Sequence, residues 1–429
     1  MKYKFSFTIL TFALIFWVTN TKAQEHEEST PVSIDDIKGK VDGMEENVKE
    51  LITDVSGLKK IKISGYLQVQ FEKSEAFKGI GMSPYDSTDF VQGRFRIRRS
   101  RVKFGYDAGM TQFVVQGDFS NEKFELKDAY LNFTDPWTKY VSMTVGVFNR
   151  PVYEVEYSSS QRESMERSKV IRTLYPSERD LGFMFTIVPE DWFKLQLAGF
   201  NNTYNGDLSQ FWPNSNKAPL YYMARLTKEF AFTDLGLGID LGVHARMGNM
   251  VANTDKAIES DMPGSASSST TSINKGDDIS RNWFGFEAQI YWDFLGGMKI
   301  LGEYIMGSNA DQPTTAAQKP LTTSIRKRDF SGFYAMLVKN ISDEWQFAVK
   351  YDAYNPNTKI SADKIDNTAD LAVSTLGFGI HNYSFSNVRI SLWYDMNKTT
   401  TNDNVVKGKA LLANDPVDNF MTLRFQYKF

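Results

Sequence analysis

Six cations crowd one short stretch of the chain: Arg94, Arg96, Arg98, Arg99, Arg101 and Lys103. In an extended strand successive side chains point to opposite faces. Arg94, Arg96 and Arg98 therefore oppose Phe95 and Ile97, whereas Arg99, Arg101 and Lys103 oppose Val102, Phe104 and Tyr106. The phase flips between Arg98 and Arg99. A β-bulge there, one extra residue on this strand, would return all six to a common face. Such a row of cations can serve as a track for anions. Alternatively, acids from facing walls or loops neutralise it and it braces the fold.

A second charged stretch, 149–180, carries Arg150, Arg162, Arg167, Lys169, Arg172 and Arg179 against Glu154, Glu156, Glu163, Glu166, Glu178 and Asp180. Tyr153, Val155, Tyr157, Met165, Ile171, Leu174 and Tyr175 are interspersed, which gives the segment an apolar side to fold on. A polar loop of this length with such anchors is functional rather than structureless. Folded into an enclosed lumen it forms a constriction and meets the basic strand there. Arg150, Glu154, Arg162, Glu166, Arg167, Arg172, Arg179 and Asp180 are the residues expected at that constriction.

The elements that must position these charges are strands. Met421, Leu423, Phe425, Tyr427 and Phe429 share one face of the last strand, and Thr422, Arg424, Gln426 and Lys428 the other. The same period-2 pattern marks sixteen strands, near 61–71, 91–106, 110–119, 125–134, 140–148, 181–188, 192–199 and 220–228, then near 235–246, 281–293, 298–307, 329–339, 344–354, 374–383, 387–396 and 419–429. Tight turns such as 107–109, 135–137, 189–191, 295–297 and 384–386 alternate with long polar loops at 72–90, 149–180, 200–219, 247–280, 308–328, 355–373 and 397–418; only 120–124 is short among the latter. Soluble sandwiches have no reason to sort loop lengths by parity. An outer-membrane barrel does, with its short turns on the periplasmic side. Closure also removes the exposed edge that five large apolar side chains on a final strand would otherwise create. The fold expected is all-β, a 16-stranded antiparallel transmembrane β-barrel preceded by a short coiled-coil helix. In such a barrel a cation facing the lipid midplane costs about 2–4 kcal/mol, so the basic strand must face the lumen.

The amino terminus fits export. Residues 1–23 read as a signal peptide, with Lys2 and Lys4 ahead of an apolar run and Ala23 before the cut. Its removal takes away Lys2, Lys4 and Lys22 and moves the net charge from -3 to -6. Residues 24–33 form a flexible acidic lead. Over 34–58, Ile34, Ile37, Val41, Met44, Val48, Leu51, Val55 and Leu58 repeat at three and four, an a/d heptad seam. It reads as a periplasmic oligomerisation helix or as a single amphipathic helix lying on the domain, and the seam itself does not choose between dimer and trimer. The barrel then occupies 60–429.

No cysteine is present, and His26, His244 and His381 lack metal-ligand spacing, so neither a metal nor another cofactor is expected. A mildly acidic chain also argues against nucleic acid as a partner. Aromatics at 14% with a mean hydropathy of -0.38 agree with a barrel, which is polar on average yet presents an apolar band.

A set of ordered motifs makes the resemblance specific. They are Arg96-Ile97-Arg98-Arg99-Ser100-Arg101, Lys127-Asp128-Ala129-Tyr130, Gly146-Val147-Phe148-Asn149-Arg150-Pro151, Glu166-Arg167-Ser168, Glu178-Arg179-Asp180-Leu181-Gly182, Tyr351-Asp352-Ala353-Tyr354-Asn355-Pro356-Asn357, and the closing Leu423 to Phe429. Over roughly residues 60–429 the chain resembles the phosphate-selective porin O/P family of Gram-negative outer membranes. The resemblance implies a sixteen-stranded trimeric porin with a basic, anion-favouring pore, passive diffusion and no chemistry. It implies that Arg96, Arg98, Arg99 and Arg101 match the family's basic strand, and that Arg150, Arg167 and Arg179 match its inward loop. Phosphate selectivity goes with a separate lysine cluster that this sequence lacks, so the expectation is a preference for small anions in general. The heptad residues Ile37, Val41, Met44, Val48, Leu51, Val55 and Leu58 correspond to a periplasmic coil that supports trimers in some relatives. The implied partners are outer-membrane lipid, further copies in a homotrimer, small anions as permeants, and the barrel assembly machinery, reached through the last strand with Phe429 as its signal.

Three rival readings compete with a porin. A barrel enzyme needs a nucleophile–histidine arrangement, and His381 with Asp395 across a hairpin is the one pair the sequence suggests. A receptor or adhesin would use the long loops, of which 247–280 with its serine-rich centre looks unsuited to a preorganised site. A gated transporter with a plug needs more strands and a larger amino-terminal domain.

Overall fold

The computed structural model describes residues 46–47, 57–75, 93–120, 124–176, 178–190, 192–201, 220–251, 257–258, 274, 276–311, 325–361, 365, 370–400, 402–406, 409–412 and 419–429. The chain falls into two compact units, Met1–Lys59 and Lys60–Phe429. The heptad seam expected over 34–58 lies outside the described residues except at 46–47 and 57–58, which are helical.

The second unit is a closed barrel of sixteen long strands. They are β1 Ile61–Ser74, β2 Arg94–Asp107, β3 Thr111–Asp118, β4 Glu125–Thr134, β5 Val141–Asn149, β6 Arg179–Ile187, β7 Lys194–Phe200 and β8 Tyr221–Phe232. The second half is β9 Leu237–Val251, β10 Asn282–Trp292, β11 Met298–Asp311, β12 Ile325–Asn340, β13 Trp345–Asn355, β14 Val373–Asn382, β15 Val388–Thr399 and β16 Phe420–Lys428. Each pairs antiparallel with the next, and β16 returns to β1 in register from Tyr66 opposite Lys428 to Ser74 opposite Phe420. Number, order and alternation are those expected. The ends differ: β6 begins at Arg179 and β9 runs on to Val251.

Alternation sets what each face is made of. On β16, Thr422, Arg424 and Gln426 are buried while Phe425, Tyr427 and Phe429 are exposed. On β1, Gln68, Gln70 and Glu72 are buried and Leu67 is exposed. A soluble protein inverts this pattern. Here the polar side is enclosed and the apolar side faces outward on every wall, as a lipid-facing barrel demands. Trp137, Tyr140, Trp192, Trp292, Trp345 and Tyr383 stand exposed beside the short turns, the position of an interfacial aromatic girdle.

One long connection among the described residues turns inward. Between β5 and β6 the chain forms two short helices, α1 Tyr153–Glu156 and α2 Lys169–Leu174. Val152, Val155, Val170, Ile171, Leu174 and Tyr175 are all buried there, in one cluster with Phe148, Phe200, Tyr221, Trp283, Ile305 and Phe330 of the wall. Each such aliphatic burial is worth about 1.5–3 kcal/mol, so the loop carries its own apolar anchor. Gly332 on β12 makes the room: a Cβ there would come within 2.6 Å of Val170 Cβ.

Candidate pore lining and inward loop

The bulge that the phase flip requires is present. Gln68 lies opposite Arg99 and Val69 opposite Ile97, which leaves Arg98 as the extra residue on β2. Phe95 and Ile97 before the bulge and Phe104 and Tyr106 after it are exposed on the outer face. Arg94, Arg96, Arg98, Arg99, Arg101 and Lys103 all turn to the other side, buried or half-buried.

Their partners are unevenly shared. Arg94 Nε lies 3.0 Å and Arg96 Nε 3.9 Å from the same carboxylate, Glu72, itself buried on β1. Arg98 donates to both oxygens of Glu166, at 2.8 and 2.9 Å, in the bidentate geometry that a planar guanidinium favours. Arg99 reaches the same carboxylate at 3.6 Å and Arg424 at 3.5 Å. Arg101 pairs with Asp118 at 2.7 Å. Lys103, opposite Ser64 on one side and Gln116 on the other, has no carboxylate within bridging distance among the described residues.

Glu166 belongs to the inward loop, so the basic strand and the loop meet as the sequence suggested. The loop also reaches the remaining walls. Glu156 accepts from Arg225 at 2.6 Å and Glu163 from Lys299 at 2.6 Å. Glu154 accepts from Lys350 at 3.2 Å and from the Ser168 backbone N–H at 2.9 Å. Asp352 accepts the Lys169 N–H at 2.8 Å. Wall side chains reach loop carbonyls as well: Gln68 donates to Ser159 at 3.1 Å, Gln426 to Ser160 at 2.9 Å and Arg424 to Met165 at 3.1 Å. These contacts come from β1, β2, β8, β11, β13, β15 and β16, with Arg389 on Gln161 completing the set. A segment touching strands so far apart around a closed sheet crosses its interior.

Within the loop, Arg162 donates to the Ser164 and Met165 carbonyls at 3.4 and 3.3 Å, and Arg167 bridges to Glu178 and to the Glu154 carbonyl. Arg172 is half-buried on α2. Arg150 holds Asp180 at 3.0 Å and Tyr221 Oη at 2.5 Å. Arg179 and Asp180, expected in the loop, are instead the first residues of β6, opposite Asn149 and Phe148. The ladder extends that far because both side chains are satisfied inside: Arg179 lies 2.6 Å from Asp128, and Asp180 accepts from Arg150 and from Tyr221 at 3.0 Å.

The loop's titratable groups are tuned by burial and by these neighbours. Burial alone would raise the Glu166 carboxyl, but Arg98 and Arg99 outweigh it and hold the group well below the usual carboxylate range. Glu178 is lowered in the same manner, with Arg167 and Arg179 overcoming burial, and Glu154 likewise by Lys350 and Arg162. Burial, with Arg172 beside it, pushes Lys169 down to about 8.

Residues that sequence reasoning missed are the wall cations Arg225, Lys299, Lys350, Arg389 and Arg424 and the acids Glu72, Asp118 and Asp128. Each occupies an inward position of a period-2 strand, so the signal was there as isolated charges rather than as a cluster. The suggested His381–Asp395 pair does not form. His381 Nδ1 lies 2.8 Å from Ser391 Oγ, while Asp395, opposite Gly377, accepts from Trp393 Nε1 at 2.7 Å.

A closed sixteen-stranded barrel with an outward apolar face, a charged interior and an inward-folded loop defines the class of outer-membrane channels. Residues 82–429 match the family described as phosphate-selective porin O and P, and the chain belongs to that family. Among solved structures it is similar to OprB of Pseudomonas putida, at 12% identity over 88% of this chain and 96% of that one, with a TM-score of 0.57. It is also similar to the outer-membrane channel DcaP of Acinetobacter baumannii, at 11% identity, 86% and 97% coverage and a TM-score of 0.53. An anion-selective porin from Comamonas acidovorans shares 8% identity over 86% of this chain and 99% of that one, with a TM-score of 0.50. At such identities the likeness speaks for the fold. No curated protein matches the chain. Family and fold are those of an outer-membrane diffusion channel rather than an enzyme.

Proposed function

We propose that this channel passes small hydrophilic solutes by diffusion and favours small anions, along a water path that runs beside the inward loop and over the basic strand. The observation that carries the reading is that the bulge turns all six cations of β2 to the enclosed face, where Arg424 of β16 joins them. Arg94 and Arg96 converge on Glu72, Arg98, Arg99 and Arg424 converge on Glu166, and Lys103 has no carboxylate within bridging distance among the described residues. The side chains of Arg94, Arg96 and Arg98 keep 27%, 20% and 19% of their exposure, while Glu72 keeps 2%. At Glu72 the cations are therefore more exposed than the acid they share, whereas Glu166, at 16%, stands level with Arg98. A positive lining raises the local concentration of anions and repels cations. Wall and loop charges also brace one another, so the bracing role and the selective role belong to the same residues.

The remaining parts of the reading concern assembly. Residues 1–23 are the export signal, and 34–58 form a periplasmic coil. Ile37, Val41, Met44, Val48, Leu51, Val55 and Leu58 hold three copies together, and the last strand with Phe429 is the segment presented to the assembly machinery. The test is single-channel conductance in planar bilayers with the zero-current potential under a KCl gradient. Open channels with a potential of the sign set by chloride support the reading. A folded, heat-modifiable barrel that never conducts would sink it.

A further inference from the structure

We propose that His244, Glu287 and Glu303 bind a divalent transition-metal ion, of the Zn2+ class, inside the barrel wall. The three lie on neighbouring strands, β9, β10 and β11. Their candidate ligand atoms fall within 4.8 Å of one another, and all three residues are buried. Sequence spacing hides the group, because 43 and 16 positions separate its members.

The cluster has two features that a merely structural role does not explain. Both ring nitrogens of His244 and Oε1 of Glu303 are without a hydrogen-bond partner among the described residues, although His244 is 2% and Glu303 3% exposed. A buried polar atom left so costs free energy unless something satisfies it. Glu287 and Glu303 are moreover directly opposite each other across the β10–β11 ladder, an arrangement of like charges that destabilises a sheet. Arg225 takes both oxygens of Glu287, at 2.6 and 3.0 Å, and so neutralises one of the two. Glu303 Oε2 accepts from Tyr334 Oη at 2.8 Å and from the Glu154 N–H at 3.1 Å, neither of which carries charge. Oε1 of Glu303 is left for a cation or a proton, and the free atoms beside it are those of an imidazole.

Backbone shape agrees. His244 lies opposite Gly285, and Glu287 opposite Gly242. A Cβ at Gly285 would collide with the His244 ring, and one at Gly242 would come within 2.7 Å of the Glu287 carboxylate. The two glycines let both side chains lie flat against the wall and converge. In a tetrahedral shell, zinc bonds of about 2.0–2.2 Å set ligand atoms about 3.3–3.6 Å apart, so the side chains would close by at most about 1.5 Å between any two, a change within reach of side-chain torsions. One imidazole with two carboxylates suits Zn2+ better than Ca2+ or Mg2+, which prefer all-oxygen shells. Glu303 also holds the loop through the Glu154 N–H, so the ion would sit where the loop is pinned to the wall.

The test uses the full mature chain refolded with Zn2+, dialysed and assayed for bound metal and affinity by calorimetry. A single ion per chain is expected. His244→Ala and Glu303→Gln should each weaken binding by at least about 10–100-fold, the loss that even the outer partners of metal ligands produce. His381→Ala, which touches a different part of the wall, should leave it unchanged. Wild-type protein that retains no Zn2+, or variants that bind as tightly as wild type, would overturn the proposal; in that case a proton shared by the two glutamates resolves the charge. Should a variant fail to show heat-modifiability, X-ray absorption of the Zn2+-loaded wild type decides instead. A shell with one imidazole among oxygens supports the site, and an all-oxygen shell removes it.

Discussion

Replacing Glu166 by Gln isolates the charge on which the basic strand and the loop meet. The carboxylate receives Arg98 at 2.8 Å and lies 3.5–3.6 Å from Arg424 and Arg99. Glu166→Gln keeps the shape and one acceptor but leaves one more uncompensated positive charge beside the path. At about 6 Å in water the Coulomb term is about 332/(80 × 6), roughly 0.7 kcal/mol. Screening with a Debye length of about 10 Å at 0.1 M salt reduces it to about 0.4 kcal/mol. Anions gain that amount and cations lose it, so the chloride-to-potassium permeability ratio should rise about fourfold. Losing one partner of a buried pair costs about 3–5 kcal/mol, and the retained amide acceptor places Gln at the low end. The apolar anchor under α1 and α2 remains, so the barrel should stay heat-modifiable while the loop end near Arg98 loosens. The assay is the zero-current potential in planar bilayers under a KCl gradient. A folded variant whose permeability ratio equals that of wild type would refute the reasoning, because Glu166 would then lie outside the path.

Four further outcomes follow from the same geometry. Lys103→Gln removes a cation that has no bridging acid among the described residues, and should lower the chloride-to-potassium ratio by about the same factor that Glu166→Gln raises it; the double variant should return near wild type, as distant charges add. Gly332→Val forces a side chain into Val170, with overpacking of about 1–3 kcal/mol, and should lift α2 from the wall, read as larger and noisier single-channel conductance. Glu166, Glu178 and Glu154 have folded values below the unfolded carboxyl value of about 4.3. Their contribution to loop docking is therefore present above that pH and lost as pH falls below it, so channel noise should stay constant from pH 7 to 5 and rise below about 4. On the alkaline side Lys169 loses its charge near 8, and the anion preference should decline between pH 7 and 9.

The barrel was legible because its signals are periodic. Alternation from Ile61 to Phe71 and from Met421 to Phe429, together with loop lengths sorted by parity, is a consequence of lipid outside and polar groups inside. Even the bulge at Arg98 showed as a phase flip among arginines, since a strand cannot turn charge toward lipid without large cost. What could not be read was pairing. Glu166 was visible as one acid among six in the loop, but nothing local says that Arg98 and Arg424, separated by more than three hundred residues, meet on it. The start of β6 is hidden in the sequence, because Arg179 and Asp180 look like loop residues until Asp128 and Arg150 are brought to them. His244, Glu287 and Glu303 stayed hidden for the same reason: register across three strands, not spacing along one, assembles them.

The most direct test of a water path lined by excess positive charge uses the absence of cysteine from the chain. Ser64 is exposed, on β1, and sits directly opposite Lys103, so Ser64→Cys places a single near-isosteric thiol beside that cation. Its modification rate is then compared for an anionic and a cationic thiosulfonate reagent of similar size, with the protein in bilayer vesicles. Faster reaction with the anionic reagent, by several-fold at low salt and converging at high salt, is the result predicted. Equal rates at all salt concentrations, preference for the cationic reagent, or protection from both would contradict an anion-favouring path along this strand.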